Sequence, residues 1–344
     1  MQVNRKRWCG VLLMCLAFLA TTEPVRGGEP LKVIFDTDMG NDIDDALALG
    51  MIHSLESRGE CELLAVTLSK DNALAARYVD LVNTFYGRPD IPVGRVHGGK
   101  TPKPGKFLPA TVLATDDGKP RFPHDLTGED DTPDATELLR QILAAQPDHS
   151  VAFVVVGFST NLARLLESQP DQHSMLPGRK LVAKKVNLLS MMAGHYGEKR
   201  PKGFKEYNVV KDLEAARTVF AKWPTPIVAS GYEIGKSILY PAASIERDFD
   251  YVPHHPLKEG YEAYGKMPYD RPTWDLTSVL YAARPDRSYF GKSSSGELTI
   301  GQDGFARHTA GGHGRHVFLT VTAEQIARVR EALVMLSSQP PATR

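Results

Sequence analysis

Short apolar runs alternate with amphipathic stretches almost from end to end of the chain. Runs at Lys32–Phe35, Leu63–Leu68, Val151–Val156, Val186–Met191 and Pro226–Ala229 have the length and composition of buried strands. Between them the spacing becomes helical. Tyr78, Leu81, Val82 and Phe85 fall on one face of a helix closed by Gly87 and Pro89, and Ala48, Met51, Ile52 and Leu55 mark another. This order of β and α predicts an α/β fold with three layers, a mostly parallel central sheet with helices on both faces. Ligands of such sheets sit beyond the carboxyl ends of the strands, so residues just after each strand become the first candidates for chemistry. Near the end the rhythm changes. Gly296–Thr299 and the turn at Gln302-Asp303-Gly304 predict a small antiparallel hairpin, and Thr322 with Gln325 forms a capping box that opens a final helix. The segment 98–136, rich in Pro, Gly and charge, reads as a long surface loop.

The amino terminus does not follow this pattern. Arg5, Lys6 and Arg7 precede an unbroken apolar run from Val11 to Ala20, with small residues at Gly27 and Gly28, the layout of a secretory signal. The run is too short for a stable membrane anchor, and no later segment approaches the length of a spanning helix. Residues 1–27 are therefore expected to be a signal peptide and 28–344 a single domain, exported to the periplasm or secreted. Of the three cysteines only Cys61 survives removal of Cys9 and Cys15, so the mature chain has no internal disulfide to form. Cys15 follows Met14, a poor neighbour for lipid attachment.

Charge changes the picture in one respect. The 344 residues carry 41 Lys+Arg and 41 Asp+Glu. Loss of residues 1–27 removes four basic side chains and one acidic one, leaving 37 against 40, a net charge of −3. That balance gives no support to a partner bound through an overall basic surface, so nucleic acid is not expected.

The densest chemical signal is Phe35-Asp36-Thr37-Asp38-Met39-Gly40-Asn41-Asp42-Ile43-Asp44-Asp45-Ala46, where five carboxylates crowd the point at which a buried strand gives way to a helix. Carboxylates this close repel one another unless a cation or strong donors neutralise them. Oxygen donors without a neighbouring Cys or His favour Ca²⁺ or Mg²⁺ over Zn²⁺. Asp44 and Asp45 also fall in the first helical turn, where negative charge is favoured. A solvated acidic loop with Asp44 as cap is the plain alternative. Phosphoryl transfer of the haloacid-dehalogenase type, with Asp36 as nucleophile, is another, but that chemistry wants Thr or Val where Gly40 stands.

These residues resemble the inosine–uridine-preferring nucleoside hydrolases, whose opening motif is Asp-x-Asp-x-Gly-x-Asp-Asp-Ala. Here Asp36-x-Asp38-x-Gly40 is followed by Asp44-Asp45-Ala46, with two extra residues before the Asp pair. Three further stretches, in order along the chain, carry the same resemblance. Val156-Gly157-Phe158-Ser159-Thr160-Asn161-Leu162-Ala163 is similar to the family's Thr-Gly-Pro-Leu-Thr-Asn-Ile-Ala. Glu206-Tyr207-Asn208 with Asp212-x-Glu214-Ala215-Ala216 is similar to its Glu-Phe-Asn-x-x-x-Asp-Pro-Glu-Ala-Ala. Thr273-Trp274-Asp275-Leu276 stands where the family has His-Asp.

The resemblance implies a Ca²⁺ ion held by Asp38, Asp45, Asp275 and the backbone carbonyl of Val156. Asp38 would also be the base on the attacking water, and Asp36 a supporting carboxylate. Ribose would be held by Asp44, Asn72, Glu206 and Asn208, with Asp42 an alternative to Asp44 or Asp45 because of the insertion. The family's second Asn falls on Arg200. Trp274 cannot transfer a proton as the family's His does, and it is expected either to stack on a nucleobase or to pack in the core. His124 and His195, each in a loop beside a family motif, are the candidates to replace that acid. His308, His313 and His316 lie in a Gly-rich stretch without fixed metal spacing, and Tyr232-Glu233 is placed at the rim without a role. The implied activity is calcium-dependent hydrolysis of the N-glycosidic bond of ribonucleosides. The alternatives are a non-catalytic ribose- or nucleoside-binding protein and a hydrolase of another ribosyl-like glycoside. The partner is a small-molecule substrate, and self-association is expected only by analogy with the family's homo-oligomers.

Overall fold

The computed structural model describes residues 29–128 and 131–342. The expected signal peptide, with Cys9 and Cys15, lies outside the described residues. The first buried run becomes β1 (Leu31–Thr37), the centre of an eight-stranded sheet. On one side it pairs with β2 (Cys61–Lys70), which pairs with β3 (Val93–Lys100). On the other side follow Val151–Val155, Val186–Met192, Ile227–Ser230, Val317–Thr320 and, at the edge, Gly291–Lys292. Every neighbouring pair is parallel except the last, which is antiparallel.

Because side chains alternate across a strand, β1 feeds two cores. Val33 and Phe35 join the cluster formed with α1 (Asp44–Ser57) and α2 (Ala73–Phe85), together with the helices at Pro256–Tyr264, Trp274–Ala283 and Ala323–Ser337. Ile34 joins the opposite cluster, with Leu139, Leu143, Leu162, Leu165, Val182 and Phe220. These are the expected three layers. The expected hairpin forms from Gly296–Ile300 and Ala306–Ala310, and Thr322 and Gln325 bond reciprocally as a capping box. No helix among the described residues is long and apolar enough to cross a membrane.

The segment 98–136 departs from its reading as a plain surface loop. It holds a helical turn, α3 (Phe107–Val112), whose Phe107 and Leu108 are fully buried. Asp80 of α2 accepts the backbone N–H groups of Asp125 and Leu126 at 2.7 and 2.9 Å, and Phe122 is buried. Three apolar anchors in a polar stretch do not make a periodic pattern, so composition alone misses the packing.

Candidate active site

The carboxyl ends of the central strands meet in a cleft with about 400 Å³ of empty space, open solvent at its mouth included. Its lining comes from six separate segments: Asp38, Asp42, Asp44 and Asp45 after β1; Val156 after the strand Val151–Val155; Met192; Glu206, Tyr207 and Asn208; Tyr232; and Trp274 with Asp275. Of the residues expected to hold the ion, the water or the ribose, all meet in this one place except Asn72. Asn72 caps α2 instead, accepting from Leu74 N at 3.0 Å and donating to Pro102 O at 2.6 Å, and it does not line the cleft.

β1 positions the acidic loop. Asp36, opposite Thr67 in the sheet register, has one oxygen fixed by the Thr67 hydroxyl at 2.6 Å and the Asn161 amide at 2.8 Å. It is wholly buried behind the cleft, and burial raises its pKa to about 7. A nucleophile needs access to substrate, so the phosphatase reading has no support in its position. Gly157 explains why the second motif needs glycine: a side chain there would collide with the Ser69 hydroxyl and the backbone of Thr37 and Asp38. Val156 donates its N–H to Asp36 O at 2.8 Å, while its carbonyl accepts from the Asn208 amide at 2.8 Å.

Within the cleft Asp38 receives the Asn41 amide at 2.6 Å. Burial raises its pKa to about 7, only partly offset by that hydrogen bond, and the charge of Asp42 raises it further. Asp45 takes the Thr37 hydroxyl on one oxygen, and its other oxygen is buried without a hydrogen-bond partner. Burial, then the charges of Asp38 and Asp44, push its pKa well up. Asp275, in the first turn of its helix rather than at the cap, is raised by burial and by Asp44, Asp45 and Asp38.

Asp44 differs because it has a cation. Arg271 Nε and Nη2 lie 3.1 and 2.9 Å from its Oδ1, and Nη2 also reaches Asp42 at 2.9 Å. The guanidinium sits over the rings of Tyr264 and Trp274, 4.9 and 5.0 Å from their centroids. Arg271 was not anticipated from sequence. Its one signal is position: it precedes the Trp274-Asp275 motif closely and is the basic residue nearest to it in the chain.

Glu206 caps its helix, accepting Asn208 N at 2.7 Å, Val209 N at 3.0 Å and Gly194 N at 3.2 Å, and burial still raises it to about 7. Trp274 packs against Tyr232 and also lines the cleft. Its indole donates to Tyr232 O at 2.9 Å and stacks on the Tyr232 ring at 5.2 Å, and its other surface lines the cleft.

No histidine lines the cleft. His124 bonds Arg77 and Phe122 O elsewhere. His195 lies one layer behind, 6.1 Å from the Tyr232 ring and 3.4 Å from Glu233. Arg200 lies over Phe305. His316 accepts from Ile227 N, and His308 packs edge-on to Phe318.

Apart from the Met192 thioether, the lining offers a cation oxygen donors: carboxylates, a carbonyl and hydroxyls. Among the described residues no three His, Cys, Asp or Glu side chains are drawn together at closed metal-cage spacing. The unpaired buried oxygen of Asp45, facing the charges of Asp38, Asp44 and Asp42, nonetheless fits a hard cation better than it fits a dry core.

The family model described as inosine-uridine preferring nucleoside hydrolase matches residues 33–329. The chain belongs to this family. Among curated nucleoside hydrolases it is similar to the pyrimidine-specific ribonucleoside hydrolase RihA of Salmonella dublin. The two are 32% identical over 237 residues, 63% of this chain and 65% of that protein. The inosine-uridine preferring nucleoside hydrolase of Crithidia fasciculata is 26% identical over 205 residues, 58% of this chain and 60% of its own. The match thus spans just under two thirds of these relatives' lengths. In fold the chain resembles the plant nucleoside hydrolase PpNRh1, with a TM-score of 0.67, 21% identity, and coverage of 90% of this chain and 100% of that one. The nucleoside hydrolase from Bacillus anthracis gives 0.65 and 18%, covering 89% and 99%.

Proposed function

We propose that this protein is an N-ribohydrolase that splits ribonucleosides into ribose and free base and depends on Ca²⁺. The observation that carries the reading is the convergence of five aspartates, one with an unpaired buried oxygen, on one cleft at the carboxyl ends of the central strands. Asp38, Asp45 and Asp275 through carboxylates, and Val156 through its carbonyl, would hold the ion. When bound, it supplies Lewis-acid chemistry, lowering the pKa of a water and orienting a ribose diol.

The protein's own groups account for the remaining requirements. Asp38 is the base that takes the water's proton, its free geometry fixed by the Asn41 amide. A pKa raised by burial suits that task, because a base must hold the proton it removes. Asp44, locked by Arg271, and Asn208, anchored on Val156, present polar groups to ribose hydroxyls. Glu206 already accepts three backbone N–H groups, so its part is to hold that corner rigid as much as to touch sugar.

The bond being broken passes through an oxocarbenium-like state that develops charge on the leaving base. The cleft offers that base Tyr207, Tyr232 and Trp274 and no imidazole. Aromatic walls stack a base without protonating it. This favours pyrimidines or other N-glycosides that need little protonation, in keeping with the pyrimidine specificity for which the Salmonella relative is named. The protein is further proposed to act outside the cytoplasm, after loss of residues 1–27.

Ribose release from a panel of purine and pyrimidine nucleosides, with Ca²⁺ and with chelator, tests the reading. Calcium-dependent release, faster for pyrimidines, is expected. Calcium binding without release from any nucleoside would replace the hydrolase with a ribose- or nucleoside-binding protein.

A further inference from the structure

A second cleft adjoins the acidic one, and its charge is opposite. It is lined by Lys70, Lys100, Lys103 and Lys211 together with Asn41, Thr101 and Gly105, and it shares Asp42 and Tyr207 with the first. The acidic cleft has six carboxylates in its lining and no lysine or arginine, whereas this one has four lysines against Asp42. Two clefts that share a wall and differ in sign suit a ligand that is itself divided: a neutral riboside at one end and an anion at the other.

Lys70 makes the wall more than a scatter of surface charge. It ends β2, is 1% exposed, and donates to Asn41 Oδ1 at 2.7 Å and Thr101 O at 2.8 Å. Both acceptors are neutral, and among the described residues no carboxylate lies within ion-pair distance of its ammonium. A buried ammonium has three N–H groups and is normally paired with a charge; here the charges of Asp38 and Asp45 act on it from beyond ion-pair distance, and its two hydrogen bonds go to neutral acceptors. Lys100 only approaches Asp212, at 3.9 Å. Lys211 lies 5.2 Å from the Tyr207 ring, and Lys103 is exposed without an ion pair among the described residues.

The wall is also fixed in place. Gly105 and Gly40 both have positive φ, and a side chain at Gly105 would run into the Gly40 carbonyl, so the lysine-bearing loop is clamped on the catalytic loop. Asn41 joins the two clefts, donating to Asp38 at 2.6 Å and accepting from Lys70. Asn41 and Asp42 fall in the stretch that the two extra residues of the first motif lengthen.

We propose that the lysine cleft is a phosphate subsite and that the favoured substrate is a phosphorylated N-riboside of the nucleoside monophosphate class. The inference rests on the ribohydrolase reading for its chemistry but not for its binding. In the reaction, water adds to the anomeric carbon, the base departs with the C–N electron pair and gains a proton, and the phosphoester stays intact. The products are ribose phosphate and free base.

The test measures dissociation constants for uridine, 5′-UMP and 3′-UMP by calorimetry in calcium buffer, alongside base release, for the wild type and a Lys103→Glu/Lys211→Glu double variant. Charge-assisted contacts should make one monophosphate bind at least about ten-fold tighter than uridine. The double variant should remove that preference, and salt should weaken monophosphate binding in the wild type. Either phosphate isomer binding tighter supports the subsite and identifies the hydroxyl that carries it. Equal affinities for all three ligands, no detectable binding of either monophosphate, or a preference that survives the double variant would overturn it. A lysine-dependent preference without base release from any of the three would leave the subsite standing and refute the hydrolase.

Discussion

Replacing Asp45 with Asn should raise stability in chelator and remove most of the stability that calcium adds. In chelator, Asp45 is a buried carboxylate facing Asp38, Asp44 and Asp42, with one oxygen unpaired. Its pKa in the folded state is raised, so above the ordinary carboxylate range the unfolded chain binds fewer protons and stability falls as pH rises, by up to about 1.4 kcal/mol per pH unit for the group. Asn carries no such cost, and its N–H groups find acceptors among the neighbouring carboxylates. The variant should therefore melt above the wild type in chelator at pH 7.5, with the gap closing toward pH 4.

Calcium acts in the opposite direction, favouring the wild type. An ion bound only to the native state at about 100 times its dissociation constant stabilises by about 2.7 kcal/mol. Unfolding entropy of roughly 2.1 cal/mol/K per residue over about 310 residues is near 0.65 kcal/mol/K, so the wild type should gain about 4 °C. Losing a ligand weakens binding by at least about 100-fold, which leaves the variant about 0.4 kcal/mol, under about 1 °C, at the same calcium concentration. Differential scanning calorimetry of both proteins in chelator and in calcium reads all four values. An equal calcium gain in the variant would refute Asp45 as a ligand. A variant less stable than the wild type in chelator would refute the repulsion argument.

Asp38→Asn should lower kcat about 10²- to 10⁴-fold with an unchanged circular dichroism spectrum, and undiminished turnover would exclude it as the base. His53 is wholly buried, stacked on Tyr86, and held neutral by desolvation with its pKa lowered to about 3. The unfolded chain takes up that proton below about pH 6.5, so stability falls between there and pH 3. By pH 5 the loss is about 2 kcal/mol, and urea unfolding should show the pH 7-to-5 loss reduced by about that amount in His53→Gln. Phe107→Ala should cost about 3–5 kcal/mol in urea, because the ring is fully buried edge-on to Tyr78 at 5.1 Å. A loss below about 1 kcal/mol would return segment 98–136 to the status of a loose loop.

The sheet was legible because its strands are buried on both faces and so read as unbroken apolar runs, and the ends of those runs located the cleft. The carboxylates of the acidic loop, Asp38 and Asp45 among them, stood out at the end of the first strand, whereas Val156, Glu206 and Asp275 were legible only through the motif resemblance. Asn72 misled because position after β2 says which end of the sheet a residue occupies and not which way its side chain turns. Its amide is used up by Leu74 N and Pro102 O. Lys70 and Arg271 were illegible for a different reason. Each matters through partners far away in the chain, Lys70 through Thr101 and Arg271 through Asp44, and no periodicity encodes such a pairing.

Arg271 also explains how five aspartates divide their work. One guanidinium serves both Asp42 and Asp44, and the Tyr264 hydroxyl adds a 2.7 Å hydrogen bond to Asp42. Those two carboxylates are satisfied by the protein. Asp38, Asp45 and Asp275 have no such cation within ion-pair distance among the described residues, and they are the three whose repulsion calls for one from outside. Charge balance therefore supports the three carboxylates of the proposed ligand set and leaves the Val156 carbonyl to the motif resemblance alone. It also accounts for the tolerance of an extra acid in the lengthened loop. Without Arg271 and Tyr264, the Asp42 carboxylate would compete for the incoming ion. With them it is held to the wall that the acidic and basic clefts share.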